Sequence, residues 1–225
     1  MTFAFYSLTI PSACPPGRIH YTVTTSSIPI LPSLPATAWG LPEKGFSVFY
    51  GLPETPQLFH YFLPQAILQG KRILCLDGAN RFDPLLIARF ARESRLPSAE
   101  FSRNIRIARA FTCFQLTELL VRLPRLVQTV SAHIVIVTAL PDLYFDEDVR
   151  EREAIVSFHR ALHAIQTAQR LLPVAVFTDA ASSRSPRRAL FQRLIAQANQ
   201  VIRFTRQESA LALTIEKSAP IPALS

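Results

Sequence analysis

The stretch Arg72-Ile-Leu-Cys-Leu-Asp-Gly-Ala-Asn-Arg-Phe-Asp-Pro84 carries the strongest fold signal in the chain. Its first five residues predict a buried β-strand, because the apolar residues run on without alternating with polar ones. The Asp77-Gly78 pair predicts a tight turn at the end of that strand. Pro84 is a favoured helix start, and the pattern from Leu85 to Glu93 is amphipathic. These residues therefore predict one strand–turn–helix unit.

The same alternation continues on both sides of this unit. We predict further strands over residues 46–50, 105–110, 133–137, 174–177, 201–204 and 210–215, and helices over 57–69, 116–130, 150–171 and 188–197. We expect Pro64 to bend or shorten the first of these helices. Strands that alternate with helices of this length predict a mostly parallel sheet with helices on both faces. The last two strands follow each other closely, so we expect them to add an antiparallel C-terminal edge. The predicted fold class is α/β.

Composition limits how the chain is divided. It has 225 residues, of which 49% are hydrophobic, and this is enough for one buried core of domain size. We predict a proline-rich N-terminal arm over residues 1–44 and a core domain over residues 45–225. Seven of the 18 prolines lie within residues 1–45, and that density opposes helix formation. We expect the arm to pack on the core or on a neighbouring copy, which would make a homo-oligomer.

Charge, cysteine and histidine usage narrow the expected location and ligands. The net charge of +8 is compatible with nucleic acid or another anionic partner. Cysteines 14, 75 and 113 are far apart and match no ligand or disulfide pattern, so we expect a reducing, cytoplasmic location. No segment has the pattern of a membrane span or a targeting signal. His159 and His163 are four residues apart, but no carboxylate or cysteine accompanies them, so we expect no metal site.

Four stretches stand in order along the predicted strands: Gly45-Phe-Ser-Val-Phe-Tyr-Gly51, Leu76-Asp-Gly-Ala-Asn-Arg-Phe-Asp-Pro84, Ala108-Arg-Ala-Phe111 with Gln115, and Ile134-Val-Ile-Val137 before Thr138-Ala-Leu140. In order and spacing they resemble the ATPase core of the RecA/RadA recombinase family, over about residues 40–222. The first is similar to the strand before that family's phosphate loop, and the others to its hDxExxFxP, ARAaxxxxQ and hhhhDSL runs. The resemblance implies a three-layer RecA-like P-loop NTPase fold.

The chain departs from this family where ATP would bind. A phosphate loop has the pattern GxxxxGK[ST]: backbone N–H groups cradle the phosphates, lysine neutralises them and the hydroxyl holds Mg²⁺. The corresponding stretch reads Gly51-Leu-Pro-Glu54-Thr55-Pro56-Gln57-Leu58. Pro56 has no N–H to donate, and Glu54 adds a negative charge where a phosphate would sit. Gln57 is the alternative to the missing lysine, but it carries no charge.

Two further positions lack the acid that the resemblance implies. Ala79 stands at the place of the family's water-activating glutamate, and Thr138 at the place of its metal-orienting aspartate. Losing one such group typically costs several kcal/mol of transition-state stabilisation. We therefore predict a protein without catalytic residues or ATPase activity, and without ATP or Mg²⁺ as a cofactor. An ATP-binding recombinase paralogue with an atypical phosphate loop stays open as an alternative.

The resemblance places DNA contact in two loops that follow the last two core strands. The second loop and the helix after it supply our candidate DNA-binding residues, Arg184, Arg187, Arg188 and Arg193. Guanidinium groups suit phosphate oxygens, and no acid occurs between Asp179 and Glu208. A solvated surface loop is the alternative interpretation. The first loop, residues 141–153, holds six acids, which would repel a phosphate backbone or stabilise the start of the following helix.

These observations predict a RecA-like pseudo-ATPase that acts as an accessory factor in DNA recombination or repair. Its expected partner is a recombinase or a DNA polymerase, with single-stranded DNA as a candidate ligand. The alternative from another class is a protein-interaction or regulatory module that has lost both nucleotide and DNA binding.

Overall fold

The computed structural model describes residues 19–23, 41–179, 187–207 and 210–218. The strands among these residues form a single mixed sheet. Its eight strands within these residues are β1 (Ile19–Val23), β2 (Phe46–Tyr50), β3 (Ile73–Asp77), β4 (Ile105–Arg109), β5 (Ile134–Thr138), β6 (Val174–Phe177), β7 (Gln200–Gln207) and β8 (Ala210–Ser218). They lie in the order β1-β8-β7-β2-β6-β5-β3-β4. Every pair from β7 to β4 is parallel, whereas β8 is antiparallel to both β7 and β1.

Helices cover both faces of this sheet. They are α1 (Thr55–Leu58), α2 (Leu63–Leu68), α3 (Pro84–Glu93), α4 (Ser98–Arg103), α5 (Cys113–Val121), α6 (Leu123–Val130), α7 (Glu151–Ala168) and α8 (Arg188–Gln197), with 3₁₀ turns at Phe59–Phe62 and Asp142–Phe145. One buried core lies between the sheet and α1–α4, and a second lies between the sheet and α5–α8. The predicted α/β fold, a mostly parallel sheet between two helical layers, is confirmed.

The central strands are buried on both faces, as their unbroken apolar runs predict. Every residue of β3, β5 and β6 is buried. On the α1–α4 side, Phe49 of β2 stacks on Phe177 of β6, with ring centroids 4.4 Å apart. On the other side, Phe158 of α7 and Leu116 of α5 are fully buried in the core against the sheet. The sheet is thus held from both sides by packed side chains.

Prolines break two of the predicted helices. The helix predicted over residues 57–69 is divided into α1, a 3₁₀ turn and α2, with Pro64 in the first turn of α2. The helix predicted over residues 116–130 ends at Val121 and restarts at Leu123, with Pro124 in the first turn of α6. Proline cannot donate the backbone bond that would join the two halves. Helix α4 was not predicted, and α7 is shorter at both ends than the predicted 150–171.

The C-terminal edge also differs from the prediction. Strand β7 runs parallel to β2, so only β8 reverses direction. Strand β1, which lies within the proline-rich arm, pairs with β8 from Ile19↔Ile215 to Val23↔Leu211 and forms the outermost strand. The contact joins residues almost two hundred positions apart in sequence, and no local pattern announces it.

Candidate functional site

The carboxyl ends of β2, β3, β5 and β6 lie side by side at one edge of the sheet. After β3 the chain continues through α3 and α4 on one face, whereas after β5 it continues through α7 on the other. Two adjacent parallel strands whose connections leave on opposite faces create a crevice, and ligands of open α/β sheets bind in such crevices. This edge, which also carries the predicted degenerate loop, is therefore the candidate site.

The loop after β2 begins at a position that only glycine can occupy. Gly51 has a φ of +128°, and a Cβ atom added there would lie 2.1 Å from the carbonyl oxygen of Phe204. The chain then closes on itself. The Thr55 N–H donates to the Leu52 carbonyl at 2.9 Å, and the Leu52 N–H donates to Thr55 Oγ1 at 2.9 Å. Thr55 is fully buried, so its hydroxyl serves the turn.

The second half of the loop is also engaged internally. The Gln57 N–H donates to the Glu54 carbonyl at 2.9 Å, and buried Pro56 has no N–H. The Glu54 carboxylate pairs with the guanidinium of Arg206 on β7. Phosphate loops bind through backbone N–H groups that point at the ligand. In this loop the N–H groups of Leu52, Thr55 and Gln57 already donate to acceptors within the loop. The loop also contains the negatively charged side chain of Glu54.

A buried carboxylate organises the turn after β3. Asp77 is fully buried; Oδ1 accepts from the Arg81 N–H at 3.2 Å and Oδ2 from the Phe82 N–H at 3.0 Å. Oδ1 also accepts from the Thr138 hydroxyl at 3.0 Å, and Arg109 Nε lies 3.9 Å from Oδ2. Donors therefore surround the carboxylate, and its role is to shape the turn.

The two positions that lack an acid lie next to each other. The Ala79 N–H donates to Thr138 Oγ1 at 3.0 Å, and the same hydroxyl donates to Asp77. Thr138 thus links the end of β5 to the turn after β3. The Ala79 side chain is a methyl group, and the fully buried Thr138 hydroxyl already makes two hydrogen bonds. Neither side chain can act as a general base that activates water.

His60 also lies at this edge, and the sequence analysis did not single it out. It is 1% exposed, and its Nδ1 lies 2.7 Å from the Gln57 carbonyl. Its Nε2 lies 3.0 Å from the Asp83 backbone nitrogen. An amide N–H can only donate, so Nε2 is the acceptor and Nδ1 carries the proton. Neutral His60 therefore ties the loop after β2 to the turn after β3.

This histidine predicts a pH-dependent stability. Burial lowers the pKa of His60 below the ordinary 6.5 and outweighs the nearby carboxylates of Asp83 and Asp77, which act the other way. The unfolded chain then binds more protons than the folded one, so stability rises with pH. The contribution of His60 to stability is complete above the unfolded pKa of 6.5 and is lost as pH falls from there through the lower folded pKa.

We expect His60→Gln to flatten the dependence of urea-unfolding free energy on pH between about 7 and 5. Equal slopes for His60→Gln and wild type would contradict the assignment.

The predicted arginine cluster separates into different environments. Arg184 lies outside the described residues. The Arg187 guanidinium donates to the carbonyls of Tyr144, of Asp146 at 3.2 Å and of Val149 at 2.8 Å. It thereby holds the loop that precedes α7. Arg188, at the start of α8, is exposed.

Arg193 lies further along α8, and its guanidinium contacts His159 of α7. The acidic loop before α7 is likewise used within the fold. Asp142 accepts from the Thr178 hydroxyl at 2.8 and 2.9 Å, which ties this loop to the end of β6. Glu151 and Glu153 occupy the first turn of α7, where negative charge is favourable.

No protein-family model matches the chain, and no curated protein matches its sequence. Among the described residues, no group of three or more His, Cys, Asp or Glu side chains is placed to hold a metal ion. None of the helices that the structure describes is both long and apolar enough to cross a membrane.

Proposed function

We propose that this chain is a RecA-like domain that has lost ATPase chemistry and acts as an accessory factor in DNA recombination or repair. The order of four stretches along the chain supports this proposal. The stretches that resemble the RecA/RadA core contribute strands β2, β3, β4 and β5, and the degenerate loop, Ala79 and Thr138 lie at the carboxyl ends of three of these strands. These three strands lie close together in the sheet, as a nucleotide site would require.

The main support for the proposed loss of ATPase chemistry is that the loop from Gly51 to Leu58 forms hydrogen bonds within itself. Its donors at Leu52, Thr55 and Gln57 are satisfied within the loop, and Glu54 pairs with Arg206. A triphosphate would have to break these contacts and displace or neutralise the carboxylate. Binding energy spent in this way is not available for catalysis. Because this edge would not bind a triphosphate, the protein would act instead through surfaces that contact a partner recombinase or polymerase.

A second candidate, a regulatory or interaction module without DNA binding, is favoured by Arg187. Three backbone carbonyls take up its guanidinium, so this arginine has a structural use that accounts for its presence. Among the described arginines of this cluster, exposed Arg188 would then contribute most to any DNA binding.

The test pairs partner capture with DNA retardation. Affinity capture with the full chain should recover a recombinase or a DNA polymerase, and single-stranded DNA should be retarded at low salt. A phosphate contact releases counterions, so affinity must fall with rising salt, and Arg188→Ala should reduce that slope by about one contact. Arg92→Ala, an exposed arginine of α3 on the opposite face of the sheet, is the matched control. Capture without DNA binding would favour the second candidate. The absence of both capture and DNA binding would contradict the accessory role in DNA repair.

A further inference from the structure

An open polar cavity lies between α7 and α8, away from the carboxyl-end edge, and its polar side chains are exposed except for half-buried Gln166. Its volume is about 280 Å³, and its described lining residues are His159, Leu162, His163, Gln166, Arg193 and Gln197. Five of these six side chains are polar. Small-molecule sites are usually lined by apolar groups with a few polar ones, so this lining suits a small, strongly polar ligand.

The cavity is braced at its two ends by contacts across the helices. At one end the Arg193 guanidinium contacts His159 Nε2. At the other end Gln166 Nε2 donates to Gln197 Oε1 at 2.7 Å. His163 stands between them on α7, four residues after His159 and three before Gln166. A guanidinium has five N–H donors and a side-chain amide has two, so these pairs leave donors over for a ligand.

The charge around the cavity is of one sign. None of the described lining residues is acidic, α7 has no Asp or Glu after Glu153, and α8 has none at all. A metal cation is disfavoured, because the Arg193 guanidinium stands against the His159 Nε2 lone pair that a metal would need. A guanidinium, imidazoles and amide N–H groups together match an oxyanion with several acceptor oxygens.

We propose that this cavity, the α7–α8 site, binds a phosphate group. Arg193 would provide the charged fork, His163 a second donor, and the Gln166 and Gln197 amides the remaining contacts. The site stands on two helices and does not depend on the RecA-like assignment.

The test uses the full chain and inorganic phosphate, with ¹H–¹⁵N correlation spectra of the histidine side chains as the readout. We expect saturable shifts of the His159 and His163 imidazole signals. Sulfate, a second tetrahedral oxyanion with several acceptor oxygens, should shift the same signals. Arg193→Gln and His163→Gln should each weaken binding about tenfold, the loss expected for one charged hydrogen bond. Arg92→Gln, on the opposite face of the sheet, should leave binding unchanged.

A parallel titration with an oligothymidylate identifies the source of the phosphate. If Arg193→Gln weakens phosphate and DNA alike, the ligand is the nucleic-acid backbone. If phosphate binds and DNA does not, the site takes a small phosphate ester, and the DNA-binding part of the proposed function fails separately. Absence of saturable phosphate and sulfate shifts, or binding that neither variant weakens, overturns the α7–α8 site even where DNA binding persists.

Discussion

Replacing Asp77 with alanine is expected to lower the free energy of unfolding by about 3 kcal/mol or more, because several buried donors lose their acceptor. The fully buried Asp77 carboxylate accepts from two backbone N–H groups and from the Thr138 hydroxyl. Arg109, which is half-exposed, stands 3.9 Å away. Chemical denaturation measures the change.

Exposed Glu147 offers the matched control, because Glu147→Ala removes a carboxylate from the surface and should alter stability by less than about 0.5 kcal/mol. Thr138→Val should cost about 1–2 kcal/mol, since it removes one acceptor and one donor. The double variant should be less destabilised than the sum, because Thr138 and Asp77 share a hydrogen bond. A loss below about 1 kcal/mol for Asp77→Ala would show that the carboxylate does not organise this turn.

Gly51→Ala should destabilise the fold by about 3 kcal/mol or more, through backbone strain together with a steric clash. The φ of +128° is one that side-chain-bearing residues rarely adopt, and the new Cβ would lie 2.1 Å from the Phe204 carbonyl oxygen on β7. The loop after β2 would have to move away from β7, which also disturbs the contact between Glu54 and Arg206.

Gly70 provides a comparison without a close contact. It has a φ of +74°, in the left-handed region, and a Cβ atom there meets nothing within 4 Å. Gly70→Ala therefore measures the cost of a left-handed backbone in an open position, about 1 kcal/mol. Thermal melts of the two variants should differ clearly. Equal shifts in melting temperature would mean that the close approach of β2 and β7 carries no energetic weight.

The fold was largely predictable because its strands carry a strong local signal. The strands at 46–50 and 174–177 lie at the predicted residues, and the other core strands differ from prediction by a few residues at their ends. The misses have physical reasons. Pro124 restarts a helix that the apolar periodicity joined, and β1 depends on a partner strand at the opposite end of the chain. Periodicity carries no information about such a partner.

At the candidate site the sequence predicts residue types but not contacts. It predicts that Pro56, Ala79 and Thr138 take no part in phosphoryl transfer. It does not indicate that Thr138 accepts from Ala79, or that Glu54 meets Arg206 at a separation of 152 residues. Nor does it separate a surface arginine such as Arg188 from Arg187, whose guanidinium is bound to backbone carbonyls. Those differences arise from tertiary packing, which sets each side chain's neighbours.

The closed loop after β2 is the feature on which the proposed loss of ATPase activity rests, and nucleotide titration tests that proposal most directly. Isothermal titration of the folded chain with ATP and Mg²⁺, run beside a phosphate-release assay on the same preparation, should give no binding heat and no release above the protein-free blank. A saturable heat that Glu54→Ala strengthens, or steady phosphate release that scales with protein concentration, would contradict the account.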